Sequence, residues 1–375
     1  MSDHIHTLAL PRIRALSPYV PGKPVDELAR ELGLDPADIV KLASNENPMG
    51  PNPRVLEAIR SAARHLTRYP DGNGFALKAR LGERFGIDAA QITLGNGSND
   101  IIVMVADAFL AEGRNAVFSQ YGFAAYPLAT QASGAECREV AARAWGNDLE
   151  GMLAAIDGDT RVLFIANPNN PTGTWVDRPN LERFLACVPR HVLVVLDEAY
   201  LEYADDADLP DGLDHVARHP NLLVSRSLCK AYGLAGLRVG YAVSSPAVAD
   251  LLNRVRQPFN VNSLALAGAC AALDDDAYLE AGRRVNRLGL AQLQAGLDEL
   301  GLCWIPTRAN FVTVDLGMPA QPVYQSLLRQ GVIVRPLDGY GLPCHLRISV
   351  GLEHENRRFL DALATAIKEA AHVAH

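Results

Sequence analysis

The sequence has few lysines, no excess of positive charge and no long apolar run. Five of its 35 lysine and arginine residues are lysines, and its formal net charge is −8. An acidic chain without a basic cluster is poorly suited to nucleic acid or to an anionic membrane. No window approaches the roughly 20 apolar residues of a membrane-spanning helix, and residues 1–8 lack the basic start and apolar core of a secretion signal. We therefore expect neither a nucleic-acid partner nor a membrane partner.

The six cysteines form no C-x-x-C pair. In a chain of 375 residues, scattered cysteines indicate reduced thiols, because a disulfide framework or a zinc site would show close and regular spacing. This absence predicts a cytoplasmic protein without a metal site.

The middle of the chain alternates short apolar segments with amphipathic ones. Continuous apolar strands between helices predict an α/β fold, in which a mostly parallel sheet has helices on both faces. In such a sheet the ligand binds at the carboxyl ends of the strands. The expected strands are 91–94, 115–119, 161–166, 191–196, 222–225 and 237–243, and the expected helices include 53–65, 99–110, 149–156 and 177–187.

The C-terminal part of the chain has a different order, which predicts a smaller α+β domain. A chain of this length also exceeds one typical core. We therefore expect a large domain at 46–272, and a second unit in which the N-terminal segment 1–45 accompanies a small domain at 273–375. In this part a long helix is expected to end near 301, strands are expected at 310–315, 332–335 and 345–350, and a final helix at 353–371.

Lys230 is the candidate nucleophile. It is followed by small and apolar residues, with no charge before Arg238. Burial lowers the pKa of a lysine, and a neutral amine can attack a carbonyl group to form an imine. The other four lysines are expected at the surface or in loops.

Asp197 ends an apolar strand and Tyr200 follows it three residues later. A carboxylate in this position faces the ligand edge of the sheet, although it could instead cap the next helix. An acid for a pyridine nitrogen, a phenol for the ring oxygen and Lys230 for the imine are what a pyridoxal phosphate site requires. Asn170 lies in the turn N-P-N-N-P-T-G, where it could contact the same ring or simply form the turn.

Two segments are candidates for binding a phosphate group. Gly97, Ser98 and Asn99 lie in a glycine-containing turn before a helix, where free backbone N–H groups suit an anion, although many such turns bind nothing. Ser227 and Arg238 flank Lys230, and an arginine can hold a phosphate with two hydrogen bonds. Arg238 could also be an ordinary surface residue.

Three further side chains are candidates for the same site. Tyr121 could stack on a cofactor ring, although such an aromatic residue is more often part of the core. Arg335 and Arg347 lie on apolar strands, where a cation needs an anionic partner. The partner could be a structural carboxylate or the phosphate or carboxylate of a substrate.

These motifs together resemble the fold-type I pyridoxal-phosphate aminotransferases, and among them the histidinol-phosphate aminotransferases. The resemblance covers nearly the whole chain. It implies that Lys230 holds pyridoxal phosphate as an imine and moves a proton during the reaction, while Asp197 pairs with the pyridinium nitrogen. The other motifs that carry it are L-S-P-Y-V-P-G-K-P at 16–24, K-L-A-S-N-E-N-P-M-G-P at 41–51, R-Y-P-D-G at 68–72 and N-P-N-N-P-T-G at 167–173.

The resemblance also implies roles for the remaining candidates. Tyr200 and Asn170 would bind the ring oxygen, Tyr121 would stack on the ring, and Tyr69 would reach the cofactor phosphate from the other subunit of a homodimer. The cofactor phosphate would be held by Gly97, Ser98, Asn99, Ser227 and Arg238, and the substrate site would be lined by Tyr19, Asn47, Arg335 and Arg347.

The implied reaction converts histidinol phosphate and 2-oxoglutarate into imidazole-acetol phosphate and glutamate, in histidine biosynthesis. An aromatic amino-acid aminotransferase and a decarboxylase of a phosphorylated amino acid are the alternatives, because both would share most of these motifs. The sequence departs from the family pattern at Cys229, where a serine is usual, and at Asn99 and Asp100, where G-S-D-E is usual.

Overall fold

The structure is a computed structural model that describes residues 2–204 and 209–373. Its main helices and strands follow the predicted alternation. The strands are β1 Val40–Lys41, β2 Ile92–Gly95, β3 Asn115–Ser119, β4 Glu136–Val140, β5 Thr160–Ala166, β6 Leu193–Asp197, β7 Leu222–Ser227, β8 Gly240–Ser244, β9 Cys303–Ile305, β10 Phe311–Asp315, β11 Val332–Ile333, β12 Arg335–Leu337 and β13 Leu342–Ser349.

The helices connect these strands and form the outer layers. They are α1 Ser2–Leu8, α2 Pro11–Arg14, α3 Val25–Leu32, α4 Pro53–Ala63, α5 Phe75–Phe85, α6 Ser98–Phe109, α7 Ala125–Ser133, α8 Leu149–Ala154, α9 Arg178–Cys187, α10 Leu213–Val216, α11 Pro246–Val255, α12 Ser263–Leu273, α13 Asp276–Glu299, α14 Ala320–Arg329 and α15 Glu353–Val373.

The large sheet has seven strands in the order β2-β8-β7-β6-β5-β3-β4. Strands β3 to β7 pair in parallel, and β8 runs antiparallel to both of its neighbours. In β5, Phe164 packs into one buried apolar cluster and Leu163 into another. Helices therefore cover both faces, which is why the strands have continuous apolar sequences. The predicted mostly parallel sheet is confirmed.

The sequence does not predict strand β4, and it misplaces the bounds of two other strands. Strand β4, Glu136–Val140, is a polar edge strand with no fully buried residue, so it lacks an apolar run. The segment 237–243 becomes a strand only at Gly240, because 235–237 forms a helical turn that ends at Arg238 with φ 57°. The predicted strand 332–335 divides into β11 and β12, which pair with different partners.

A second, four-stranded antiparallel sheet has the order β12-β13-β10-β9. Its apolar face packs with α13, α14 and α15 into a separate buried cluster. Strand β1 pairs in parallel with β11, which attaches the N-terminal segment to this second unit. The pairing supports our grouping of 1–45 with 273–375, whose terminal residues Met1 and 374–375 lie outside the described residues. The division at 46–272 remains a proposal.

The two sheets meet where the parallel strands of the large sheet end. On β13, Arg347 and Ser349 alternate with core residues and point toward this junction. Ser349 Oγ accepts a hydrogen bond from Asn45 N at 2.7 Å, and Thr313 Oγ1 on β10 donates to the carbonyl oxygen of Pro171. A ligand bound at the junction would therefore contact both units.

The described helices were also searched for membrane spans, and none combines the length and apolar character that a bilayer crossing requires.

Candidate active site

A cavity lies at the junction of the two sheets and collects most of the predicted residues. Its wall is formed by the ends of β5, β6 and β7, the start of α6, and strands β12 and β13. Eleven of the fifteen candidate residues line it: Tyr19, Ser98, Asn99, Asn170, Asp197, Tyr200, Ser227, Lys230, Arg238, Arg335 and Arg347. Residues far apart in the sequence meet here because the carboxyl ends of parallel strands share one edge.

Asp197 lines the cavity, and one of its two carboxylate oxygens is hydrogen-bonded while the other is not. Its Oδ2 accepts a hydrogen bond from the Tyr126 hydroxyl at 2.9 Å, whereas its buried Oδ1 accepts none from the described residues. Burial raises the pKa to about 6, against opposing effects of Tyr126, the nearby Ala199 amide and Lys230. The helix-cap alternative is wrong, because the next helical turn begins at Leu201 after Tyr200.

The free oxygen of Asp197 requires a donor, because a buried unpaired carboxylate oxygen costs free energy. A protonated ring nitrogen in the cavity would supply that donor. The residues present therefore fit a pyridinium ring.

Lys230 lines the cavity near Asp197. Its Nζ donates to the carbonyl oxygen of Ser44 at 2.9 Å and lies 5.8 Å from the centre of the Tyr200 ring. Desolvation lowers its pKa to about 8, and Arg347 adds to this effect. The amine of Lys230 is therefore partly neutral near pH 8 and can act as a nucleophile or a base.

Lys78 corrects the prediction for the other lysines, because it is buried, at 7% exposure. Its Nζ donates to Asn73 Oδ1 at 3.0 Å, and burial, together with Arg256, lowers its pKa. Lys78 lies outside the cavity lining. A buried lysine with a lowered pKa is therefore not enough to define the site, and the neighbours of Lys230 are what distinguish it.

The buried Arg347 has acceptors but no carboxylate partner in the described part of the chain. One nitrogen donates to Asn170 Oδ1 in a short hydrogen bond, and Nη2 donates to the carbonyl oxygen of Ala43 at 2.8 Å. Its Nε has no partner among the described residues, and burial lowers its pKa. The structural-carboxylate alternative is thus wrong for Arg347, which can receive an anion from the cavity.

Arg335 lies nearer the mouth of the cavity. Its guanidinium carbon is 5.4 Å from the centre of the Tyr19 ring, and Tyr19 is 49% exposed. The two arginines therefore border one space from the same small sheet, at different depths.

Three of the five predicted phosphate residues, Gly97, Ser98 and Asn99, lie at the N-terminus of α6. Gly97 precedes this helix with φ 83°, and a Cβ atom built there would lie 2.4 Å from Arg238 Nη2. Glycine is therefore needed for Arg238 to approach the turn. Arg238 Nη1 also donates to the sulfur of Cys229 at 3.2 Å. The cysteine that replaces the usual serine thus contacts the predicted phosphate-binding arginine.

Comparisons with known proteins identify the family of this chain. The model of the family "Aminotransferase class I and II" matches residues 37–363. The chain belongs to this family. It is 69% identical over 367 residues to histidinol-phosphate aminotransferase 2 of Pseudomonas aeruginosa, with 98% of this chain and 99% of the relative covered. It is 60% identical to the histidinol-phosphate aminotransferase of Stutzerimonas stutzeri, with 98% and 100% covered.

A solved structure gives the same assignment for the fold of this aminotransferase. The crystal structure of histidinol-phosphate aminotransferase from Sinorhizobium meliloti in complex with pyridoxal-5'-phosphate matches with a TM-score of 0.88 at 30% identity, covering 96% of this chain and 98% of that one. The predicted family and the fold-type I α/β class are confirmed.

Four candidates do not line the cavity of the aminotransferase. Gly97 lies against Arg238, as described above. Tyr121 stacks on Trp145 with 5.7 Å between ring centres, and Asn47 Nδ2 donates to the carbonyl oxygen of Ala231 at 2.9 Å. Tyr69 is 82% exposed. The roles of these residues stay predictions.

The sequence does not predict several residues that line or support the cavity, and three of them carry polar or aromatic side chains that matter for the site. Asn45 lines the cavity and its Nδ2 donates to the Tyr200 hydroxyl at 2.9 Å. The sequence predicts Asn47 as the site residue of this segment instead. Phe123 lines the wall two residues after Tyr121. Tyr126, buried on α7, supports Asp197. Asn45 and Phe123 each lie close to a predicted residue in sequence, but only the backbone path shows which neighbour faces inward.

Proposed function

We propose that this protein is a pyridoxal-phosphate-dependent aminotransferase that converts histidinol phosphate and 2-oxoglutarate into imidazole-acetol phosphate and glutamate. One observation carries the cofactor assignment: Asp197 presents a buried, unpaired oxygen to the cavity that also contains Lys230. The relatives at 60–69% identity support the donor, because each is named for histidinol phosphate.

Each part of the cofactor has residues that would hold it. Asp197 would accept a hydrogen bond from the ring nitrogen, and Tyr200 and Asn170 would bind the ring oxygen. The phosphate group would be held by Gly97, Ser98, Asn99, Ser227 and Arg238, where the N–H groups at the start of α6 favour an anion. When bound, pyridoxal phosphate supplies an electron-accepting ring that stabilises negative charge on the carbon that carries the amino group.

Lys230 would carry the proton. With its pKa lowered to about 8, a useful fraction of its amine is neutral at physiological pH. The neutral Nζ would take a proton from the substrate carbon that carries the amino group. It would then return that proton to the carbon on the cofactor side of the transferred nitrogen. Asp197 would keep the ring nitrogen protonated, because a negative carboxylate raises the pKa of an adjacent N–H group.

Arg347 and Arg335 would bind the anionic groups of both substrates. Arg347 is buried and donates only to Asn170 and to the carbonyl oxygen of Ala43 in the described part of the chain. An incoming phosphate or carboxylate would supply the missing negative charge, and a guanidinium group can hold either one with two hydrogen bonds. Tyr19 and Asn47 would complete the substrate site.

We also propose that the enzyme works as a homodimer in which Tyr69 reaches the cofactor phosphate of the other subunit. Tyr69 is 82% exposed and stacks on Phe259, itself 45% exposed, with 4.7 Å between ring centres. An exposed aromatic pair away from its own cavity is suited to an interface. We further propose a cytoplasmic location, because the six cysteines are all free and a reducing compartment maintains that state.

Borohydride reduction tests the cofactor assignment. After incubation with pyridoxal phosphate, peptide mass spectrometry should find a pyridoxyl group on Lys230 and none on Lys78, the matched buried lysine. Lys230→Ala should abolish turnover, while Lys78→Met should retain it. Failure of the wild-type protein to take up pyridoxal phosphate would refute the assignment.

A comparison of amino donors tests the substrate. With 2-oxoglutarate as acceptor, kcat/KM should be higher for histidinol phosphate than for phenylalanine or tyrosine. A preference for either aromatic amino acid would replace the proposed donor and retain the aminotransferase mechanism.

A further inference from the structure

Trp145 occupies an unusual backbone conformation in the connection between β4 and α8. Arg143 and Gly146 close a tight hairpin through paired backbone hydrogen bonds of 3.1 and 3.0 Å. The two residues between them, Ala144 and Trp145, have φ angles of 48° and 66°. Two-residue hairpins of this kind usually take glycine, asparagine or aspartate, because a Cβ atom disfavours the left-handed region. A tryptophan there indicates that its ring serves a purpose that local conformation does not explain.

The ring of Trp145 lies between two others. One neighbour is Tyr121, with 5.7 Å between ring centres and 30° between planes. The other is His345 on β13, with 5.3 Å between centres. His345 is 7% exposed, and neither of its ring nitrogens makes a hydrogen bond to the described residues. Its Nε2 lies 4.0 Å from Asp315 Oδ2, so packing and this one longer contact hold the ring in place. Trp145 thus joins Tyr121 of the large sheet to the strand that carries Arg347.

The backbone of Tyr121 is fixed separately from its ring. Asn169 Nδ2 donates to the Tyr121 carbonyl oxygen at 2.9 Å and to Thr172 Oγ1 at 2.8 Å. Thr174 Oγ1, which lies 3.0 Å from that hydroxyl, donates to the carbonyl oxygen of Trp145 at 3.3 Å. The turn N-P-N-N-P-T-G and Thr174, which directly follows it, therefore anchor the main chain of both aromatic residues. The ring of Tyr121 has Trp145 as its aromatic support.

We propose that Trp145 is a positioning residue, which holds the ring of Tyr121 in the orientation needed to stack on pyridoxal phosphate. The proposal rests on the proposed function and on the stacking role that the family resemblance gives Tyr121, which does not itself line the cavity. His345 also contacts the Trp145 ring, at 5.3 Å between ring centres, and so limits its movement.

The test uses Trp145→Gly, because glycine removes the ring and accepts the left-handed backbone without strain. The dissociation constant of pyridoxal phosphate is measured by the absorbance of the bound cofactor in the full-length protein. An aromatic pair contributes enough that we expect the constant to rise about three- to tenfold. Trp145→Phe should restore it to within about twofold, because a phenyl ring can still stack. Trp304→Phe is the control, since Trp304 lies on β9 and bonds Asp298.

A double variant distinguishes positioning from general structural support. If Trp145 acts through Tyr121, Trp145→Gly should add little to the loss already caused by Tyr121→Leu. Wild-type affinity in Trp145→Gly, or fully additive losses in the double variant, would overturn the proposal. Failure of the wild-type protein itself to bind pyridoxal phosphate would instead refute the proposed function.

Discussion

Asp197 and Glu198 are neighbours at the end of β6 and they point to opposite faces of the large sheet. Both are buried, at 5% and 0% exposure, and burial raises the pKa of Asp197 to about 6 and of Glu198 to about 7. Glu198 uses both oxygens: Oε1 accepts from Gly212 N at 2.7 Å, and Oε2 accepts from two nitrogens of Arg226 at 3.0 and 2.9 Å. Asp197 keeps one oxygen unpaired.

Two buried arginines differ in the same way: Arg226 lies beside Glu198, and Arg347 lines the cavity with Asp197. Arg226 pairs with Glu198 and Asp211, whereas Arg347 has no carboxylate partner in the part of the chain that the structure describes. Burial and a shifted pKa are common to both faces, so neither property identifies the functional one. Our proposal relies instead on incomplete pairing, because a buried charge without a partner is costly unless a ligand completes it.

The largest expected effect is a difference in kcat between variants of the two carboxylates. Asp197→Asn should lower kcat about a thousandfold, since it removes a preorganised charge that stabilises the developing negative charge. Glu198→Gln, on the opposite face, should leave kcat per folded molecule within about twofold. Steady-state assays with histidinol phosphate measure both variants. An equal loss in both would break the distinction between the faces.

The next largest expected effect is a difference in the free energy of unfolding between variants of the two arginines. Arg226→Met should lower the free energy of unfolding by about 3–5 kcal/mol, because it leaves the buried Glu198 carboxylate without its cation. Arg347→Met deprives no carboxylate in the described residues of a partner, so we expect a change below about 1 kcal/mol. Urea unfolding of the cofactor-free proteins measures both. A larger loss from Arg347→Met would contradict the assignment of the two faces.

Arg347→Met should instead weaken substrate binding. The KM values for histidinol phosphate and for 2-oxoglutarate should each rise about 10- to 100-fold, because a hydrogen bond to a charged group contributes about 1.5–3 kcal/mol. The uptake of pyridoxal phosphate should change little and serves as the internal control. Unchanged KM values for both substrates would place the anion site elsewhere.

The smallest effect is a pH dependence of stability. The pKa of Asp197 is raised from 3.8 to about 6 on folding, so the folded state binds more protons than the unfolded state between these values. The stability of the cofactor-free wild type therefore falls as pH rises through this window. Asp197→Asn should be more stable by about 1–3 kcal/mol at pH 7, with little advantage near pH 4. A difference that stays constant from pH 4 to 7 would exclude this cause.

Much of the site could be predicted from local patterns. Asp197 and Asn170 follow apolar strands, and parallel strands present their carboxyl ends at one edge, so their convergence with Lys230 follows from the fold class. Strand β4 could not be found in this way, because a polar edge strand has no apolar run. The burial of Lys78 was missed for a similar reason, since it depends on packing against residues distant in sequence.

From the sequence alone one can predict the family, the mostly parallel sheet and the candidate residues that line the cavity, because those depend on residue type and short-range spacing. Long-range packing, by contrast, sets which polar atoms are left unpaired. Asp197 and Glu198 are adjacent acids in one motif, and their difference arises from Tyr126, Arg226 and Gly212, which lie up to 71 positions away along the chain. Hydrogen-bond completion is a property of long-range packing, and no local pattern encodes it.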